Sequence, residues 1–261
     1  MSGPVKQPDW NPGAYARFRD QRLRPALDLL NAVGQMGAGD IVDLGCGNGA
    51  IGDALTARAG GRQVVGVDAS PAMLEKAKQT GAYDSLQQAD INDWHPRRAP
   101  GLIFSNAALH WVGGHEKLMP KLAGMLGKGG TLAIQMPHQN KAPSHRVWLT
   151  LVEEMCPGRV EKMGTPGVMA PVKYEELLSR LGQFRMWETE YYQRLMAETG
   201  SHPVRRFTES TYARPVLQAL DDKEKSEVIK RYEEVMHAAY PVRADGSVLF
   251  PFRRMFFTLT V

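Results

Sequence analysis

Only two cysteines, Cys46 and Cys156, occur in 261 residues. They can build neither a disulfide framework nor a Cys-x-x-Cys zinc pattern, and Cys46 reads as a small filler rather than a nucleophile. No uninterrupted apolar run approaches the length that crosses a bilayer. Met1 to Trp10 is polar and proline-punctuated, without the apolar centre of a signal peptide; a cytoplasmic protein with no membrane partner is the expectation. Basic runs are missing too: Arg97-Arg98, Arg205-Arg206 and Arg253-Arg254 are only pairs. A net charge of +4 suits a small anionic substrate and does not mark a nucleic-acid binder. His110, His115, His138 and His145 share no compact metal-ligand spacing, so no metal is expected. There is no internal repeat and no low-complexity segment.

What is present is an alternation of short apolar strands and helical patterns. Tyr15 to Arg24 reads as helical, and Pro25 suits the first turn of a further helix with Ala26, Leu27, Leu30 and Val33 on one face. Strands are expected at Ile41–Leu44, Gln63–Val67, Leu86–Ala89, Leu102–Ser105 and Thr131–Met136. Helices fall between them: Ala50–Arg58, a helix opened by Ser70-Pro71 with Met73, Leu74 and Ala77 on one side, and one carrying Leu118, Leu122 and Met125. That order implies an α/β fold, a parallel sheet with helices on both faces. The second half is less regular. It suggests helices at Trp148–Met155, at Tyr174–Leu181 and twice within 215–240, with strands at Phe184–Leu195 and Met255–Val261. A chain of this length accommodates one elaborated domain or a core with a smaller lobe.

The chemistry concentrates at 41–49, where Ile-Val-Asp-Leu runs into three alternating glycines. Glycines let a backbone turn with positive φ or approach a ligand closely. Two ligands compete for this turn. Gly47-Asn-Gly49-Ala-Ile-Gly52 fits the dinucleotide fingerprint, with Asp68 in place for a ribose, which would make the chain an NAD(P)-dependent oxidoreductase. Asp43 argues the other way. A pyrophosphate prefers a helix N-terminus without a carboxylate beside it, whereas S-adenosylmethionine carries an ammonium and a sulfonium and no phosphate. Asp90, after the third strand, could accept from an adenine amino group. Trp94 either covers that adenine or packs in the core. No Tyr-x-x-x-Lys pair supports the oxidoreductase.

These residues resemble the class I S-adenosylmethionine-dependent methyltransferases. The first motif corresponds to Asp43-Leu-Gly45-Cys-Gly47-Asn-Gly49, and Val65-Gly66-Val67-Asp68, Gln88-Ala89-Asp90 and Leu126-Gly-Lys-Gly129-Gly130 follow in the same order. A narrower resemblance, to the trans-aconitate methyltransferase family, rests on Tyr15-x-x-Phe18-x-x-x-Arg22-x-Arg24-Pro25, Asn106-Ala-Ala-Leu-His110-Trp111, Gln135-Met136-Pro137, Trp187-Glu-Thr189-x-Tyr191, Arg214-Pro215, Tyr240-Pro241, Asp245-Gly246 and Arg254-x-Phe256. Departures are Gly101 for an Asp, Asn48 for a Pro, and Ser210-Thr211-Tyr212 for Gly-Thr-Gly.

The resemblance implies a Rossmann-like, mostly parallel seven-stranded sheet with a helical elaboration on the substrate side. It implies a donor-binding core with N-terminal helices in 1–136, last core elements with substrate-capping insertions in 137–250, and a final strand in 251–261. S-adenosylmethionine is the expected cofactor and S-adenosylhomocysteine the product. Donor contacts are expected from Asp43, Gly45, Cys46, Gly47, Gly49, Asp68, Ala69, Ser70, Met73, Asp90, Ile91 and Asn106. Asp43 is placed near the methionine portion and Asp68 on the ribose. A small carboxylic acid is expected against Tyr15, Arg22, His110, Trp111, Arg214, Tyr240 and Arg254, because arginine forks suit carboxylates. Tyr15, His110 and Trp111 are positioning candidates, and no residue stands out as catalytic. Another small O, N or C acceptor remains the alternative within methyl transfer, and a nonenzymatic binder of the donor a third reading. A monomer or weak dimer is expected.

Overall fold

In a computed structural model the described residues are 19–159, 168–196, 200–209 and 211–261, with the side chains of 19–22 outside the description. Their elements run α1 (Arg19–Ala32), β1 (Ile41–Leu44), α2 (Gly52–Arg58), β2 (Val64–Asp68), α3 (Pro71–Thr80), β3 (Ser85–Gln88), β4 (Leu102–Asn106), a 3₁₀ turn (Leu109–Trp111), α4 (His115–Gly124) and β5 (Thr131–Pro137). There follow α5 (Pro143–Met155), α6 (Pro171–Leu178), β6 (Gln183–Met196), α7 (Pro203–Glu209), α8 (Arg214–Gln218), α9 (Asp222–Ala239) and β7 (Ser247–Thr260).

One seven-stranded sheet orders them β3-β2-β1-β4-β5-β7-β6. β1 pairs in parallel with both β2 and β4, as do β2 with β3 and β4 with β5. β7 runs antiparallel to β5: Gly129 donates to Val261 at one end and His138 to Arg253 at the other. The strand order reverses between β1 and β4, and open α/β sheets place their ligands beyond the carboxyl ends of the strands at such a point. β1 and the first four residues of β2 and β4 are buried throughout, the pattern of strands covered on both faces.

Local signals account for the helices. The Ser70 hydroxyl accepts from Met73 N at 3.3 Å, Pro71 opens the first turn, and Gly81 closes α3 in the left-handed region at φ 68°. Asp221 and Glu224 form a reciprocal capping box on α9. One expectation is corrected: Pro25 does not open a second helix but lies inside the single helix α1, whose described start is Arg19. At the seventh described position proline gives up the amide bond to the carbonyl four residues back, and the helix continues through it. Gly101 has its own reason. A Cβ there would stand 2.3 Å from the Gly37 carbonyl oxygen, so an aspartate at this position would displace the loop before β1.

The described residues divide into two compact units. One falls within Met1–Met136, Pro166–Trp187 and Met255–Val261; the other within Pro137–Thr165 and Glu188–Arg254. The core of the first joins Val42, Leu44, Val67, Ile103, Leu122, Ile134 and Phe257. In the second, Trp148 of α5 stacks on Tyr232 of α9 with ring centroids 3.7 Å apart, and its indole N–H donates to the Thr208 hydroxyl of α7. No helix among the described residues is long and apolar enough to cross a membrane.

Candidate functional site

At the carboxyl ends of β1, β2 and β4, within the first unit, lies a cleft of about 350 Å³. Each strand end delivers part of it. β1 ends in Asp43 and the glycine turn, β2 in Asp68, the segment after β3 brings Asp90 and Ile91, and β4 ends in Asn106, Ala107 and Ala108. Met73 of α3, Trp111 of the 3₁₀ turn, and Leu23 and Ala26 of α1 complete the wall.

The turn is fastened to β2. Gly45 N and Cys46 N both donate to Val67 O, at 2.7 and 2.9 Å. Gly47 N donates to Asp68 Oδ2 at 2.8 Å, and Ser70 N to Asp68 Oδ1 at 2.9 Å, which fixes the Asp68 carboxylate across the turn. Gly45 sits at φ 79°, and a Cβ on it would lie 2.2 Å from the Ala108 Cβ, so only glycine admits this approach between the ends of β1 and β4.

The electrostatics discriminate between the two ligands. Three carboxylates (Asp43, Asp68 and Asp90) line the cleft, and among the described residues its lining includes no Lys, Arg or His. The Gly47 amide, which a phosphate would use, already donates to Asp68. A pyrophosphate here would meet negative charge with no compensating cation among the described residues. A cationic ligand fits instead, and the buried Asn106 Oδ1 adds an acceptor with no hydrogen-bond partner among the described residues. Asp43 is fully buried and its carboxyl is pushed up to about 7, chiefly by burial; the Tyr83 hydrogen bond opposes the rise and the Asp68 charge adds to it. The same surroundings push the Cys46 thiol far up, through burial first and then the charges of Asp43 and Asp68. A thiol so held is no nucleophile.

Of the residues singled out by sequence, Asp43, Gly45, Cys46, Gly47, Asp68, Ala69, Met73, Asp90, Ile91, Asn106 and Trp111 line this one cleft. Gly49, Ser70 and His110 do not. Gly49 packs on Ala77 and the Tyr83 ring, Ser70 caps α3, and His110 is buried with its ring 4.6 Å from that of Trp111. Trp94 resolves to packing: it is buried in the core and donates its indole N–H to Gln87. Tyr240, Arg214 and Arg254 belong to the second unit. There Tyr240 is buried at the end of α9, and the buried Arg254 guanidinium lies 4.7 Å over the Phe252 ring. Tyr15 and Ser210 lie outside the described residues, and of Arg22 only the backbone is described, within α1. Tyr83 is the residue that motif reading missed. Its hydroxyl donates to Asp43 Oδ2 at 2.7 Å.

Comparison with known proteins agrees with this chemistry. A methyltransferase-domain family profile matches residues 41–130. The trans-aconitate 2-methyltransferase of Paracidovorax citrulli is 39% identical over 256 residues, covering 95% of this chain and 96% of its own. The enzyme of the same name from Methylobacterium radiotolerans is 36% identical over 259 residues, with the same coverage. Among solved structures, the YcgJ protein of Bacillus subtilis superposes with a TM-score of 0.57 at 14% identity, over 91% of this chain and 98% of its own. Phosphoethanolamine N-methyltransferase 2 of Haemonchus contortus, in complex with S-adenosyl-L-methionine, gives 0.51 at 18% identity over 90% of this chain and 52% of its own. These two likenesses speak for the fold. Near full-length identity to the first two enzymes decides the family: the chain belongs to the trans-aconitate 2-methyltransferases, which are S-adenosylmethionine-dependent methyltransferases.

Proposed function

We propose that this protein methylates a carboxylate of a small polycarboxylic acid, with trans-aconitate the leading acceptor, to give a methyl ester. The observation that carries the proposal is the extent of the identity. A methyltransferase-domain match over 41–130 is blind to the acceptor, whereas the relatives named for trans-aconitate align over 95% of the chain and so include its second unit.

Bound S-adenosylmethionine supplies an activated methyl group on a sulfonium. We assign Asp43 to its ammonium, Asp68 to its ribose hydroxyls and Asp90 with Ile91 to its adenine; the anionic lining supports these roles. A carboxylate acceptor is already ionised at neutral pH, so the protein needs no base to activate it. Its work is to hold the acceptor oxygen in line with the methyl and to exclude water. Arg22, Arg214 and Arg254 are the proposed partners of the acid's carboxylates, with Tyr15, His110, Trp111 and Tyr240 as positioning groups; the motif resemblance and the fit of arginine to carboxylate support them.

The test is transfer from methyl-labelled donor to a panel of di- and tricarboxylic acids, followed by mass spectrometry and mild base. A base-labile ester on trans-aconitate, formed faster than on its saturated analogues, is the expected result. Absence of label on every acid, alongside normal donor binding, would overturn the acceptor and leave the methyltransferase intact.

A further inference from the structure

Tyr83 sits in the segment between α3 and β3 and belongs to no cofactor motif. Its ring fills a slot floored by three glycines. A Cβ on Gly49, Gly52 or Gly66 would stand 3.0, 2.9 or 3.0 Å from its ring atoms. Gly49 belongs to the turn after β1, Gly52 opens α2 and Gly66 lies in β2, so three elements leave room for one phenol. The hydroxyl then reaches Asp43 Oδ2 at 2.7 Å. Such a slot exceeds what packing alone demands, because an apolar side chain would fill it without presenting a donor to the carboxylate.

We propose that Tyr83 is a positioning residue for methyl-donor binding: it holds the Asp43 carboxylate ionised and oriented toward the donor's ammonium. This rests on the reading that Asp43 faces that ammonium. The argument is one of opposing effects on a single group. Burial favours the neutral acid, and a neutral acid attracts a cation far less. A hydrogen bond donated to the charged form favours ionisation. The groups acting on Asp43 are Tyr83 from the segment before β3 and Asp68 from the end of β2, with the neutral Cys46 thiol within the turn beside them; Asp53 on α2 also acts on the Tyr83 phenol. Burial first, and then the charges of Asp43 and Asp53, push the phenol well above its ordinary range, so Tyr83 keeps its proton and remains a donor at every working pH. The Asp43 carboxyl itself is balanced at about 7, where losing one donor matters most.

The experiment is calorimetric titration of the full chain with S-adenosylhomocysteine between about pH 5.5 and 8, beside 5′-methylthioadenosine, which lacks the amino-acid portion. Wild-type affinity for S-adenosylhomocysteine should rise with pH through a midpoint near 7, while methylthioadenosine binding stays flat. Tyr83→Phe keeps the ring and loses the donor. It should move the midpoint upward, weaken S-adenosylhomocysteine roughly five- to tenfold at neutral pH, converge on wild type toward the alkaline end, and leave methylthioadenosine unchanged. A midpoint that does not move, or an equal loss for both ligands, reduces Tyr83 to packing and overturns the proposal. A fluorinated tyrosine at the same position, a stronger donor of nearly the same size, should lower the midpoint, and its failure to do so is equally fatal; this arm stands even where Tyr83→Phe does not fold. Asp43→Asn tests the underlying reading separately. It should weaken S-adenosylhomocysteine alone and abolish its pH dependence, and wild-type binding by that variant removes Asp43 from the ammonium irrespective of Tyr83.

Discussion

Asp43 is a liability to the folded chain and, in the role proposed for it, an asset to its ligand. It lies one residue before the end of a strand buried throughout, and burial pushes its carboxyl up to about 7 from the ordinary 3.8. The sign of the consequence follows from proton counting. Between roughly pH 4 and 7 the folded state holds a proton at Asp43 that the unfolded state has released, so unfolding releases it. The contribution of this residue to stability is therefore complete below the ordinary carboxylate range and is lost as pH rises through about 7. Asp43→Asn removes the titration while nearly preserving shape. In the absence of donor, the variant is expected to be more stable than wild type at pH 8, by on the order of 3–4 kcal/mol, with a smaller gap at pH 5 and none near pH 4, as read by calorimetry at the three values. A variant less stable than wild type at pH 8 would show that the ionised carboxylate is compensated within the fold. The glycine turn and the two aspartates are what a motif can carry, because they lie close together in sequence at the ends of adjacent strands. Tyr83 is not of that kind. It meets Asp43 across 40 residues, and an isolated aromatic ahead of a short strand says nothing of its partner.

At the scale of elements, the strands that read clearly were those buried on both faces. β1, β2, β4 and β5 are continuous apolar runs ended by turn residues, and the Ser70-Pro71 pair announced α3 because cap and first turn are adjacent in sequence. β7 begins at Ser247, ahead of the expected Met255, because its first half alternates buried and exposed positions and includes Arg253 and Arg254. α7 escaped notice: seven residues containing two arginines make no apolar stripe of their own, and Val204 and Phe207 are buried by tertiary packing. The 3₁₀ turn at Leu109–Trp111 shows a similar dependence on distant partners. His115, buried at the start of α4, bonds through Nε2 to the Leu109 carbonyl at 3.0 Å and through Nδ1 to the Tyr174 hydroxyl of α6. It ties the segment that carries Trp111 to two helices. His115→Leu fills similar volume and breaks both bonds, so a loss of about 1–3 kcal/mol is expected in urea unfolding. Donor affinity should fall with it, since Trp111 lines the cleft; an unchanged donor affinity would show that the turn is held by its own backbone.

Across the whole molecule, the first unit combines buried titratable groups of opposite sign, whereas the buried histidines of the second act in one direction. The first unit contains Asp43, whose carboxyl is raised, and His115, whose imidazole is held below its ordinary range mainly by burial. In the second, His145 is fully buried and pushed down to about 3, and His202 is lowered by burial first, with His237 beside it adding to the effect. A histidine kept neutral in the fold contributes stability that is present above its unfolded pKa and is lost as pH falls below it. Between about pH 6.5 and 4.5 the second unit therefore loses stability at His145, at a limiting slope of about 1.4 kcal/mol per pH unit, and His202 acts in the same direction. In the first unit the His115 loss is offset by the Asp43 gain. Their packing makes the readout specific. His145 opens α5 and contacts the Tyr212 ring at 4.5 Å, and His202 bonds to the Tyr240 carbonyl at the end of α9. Native-state hydrogen exchange, corrected for intrinsic rates, should therefore show protection in Pro143–Met155 and Asp222–Ala239 falling on acidification from pH 7 to 5, before protection in Ile41–Leu44 and Leu102–Asn106 changes. Replacing His145 with Phe, which keeps a ring against Tyr212 and Phe252, should remove one of the two protons from that response. Parallel loss in both sets of segments would mean that the units unfold as one and that the division of charge between them has no separate thermodynamic expression.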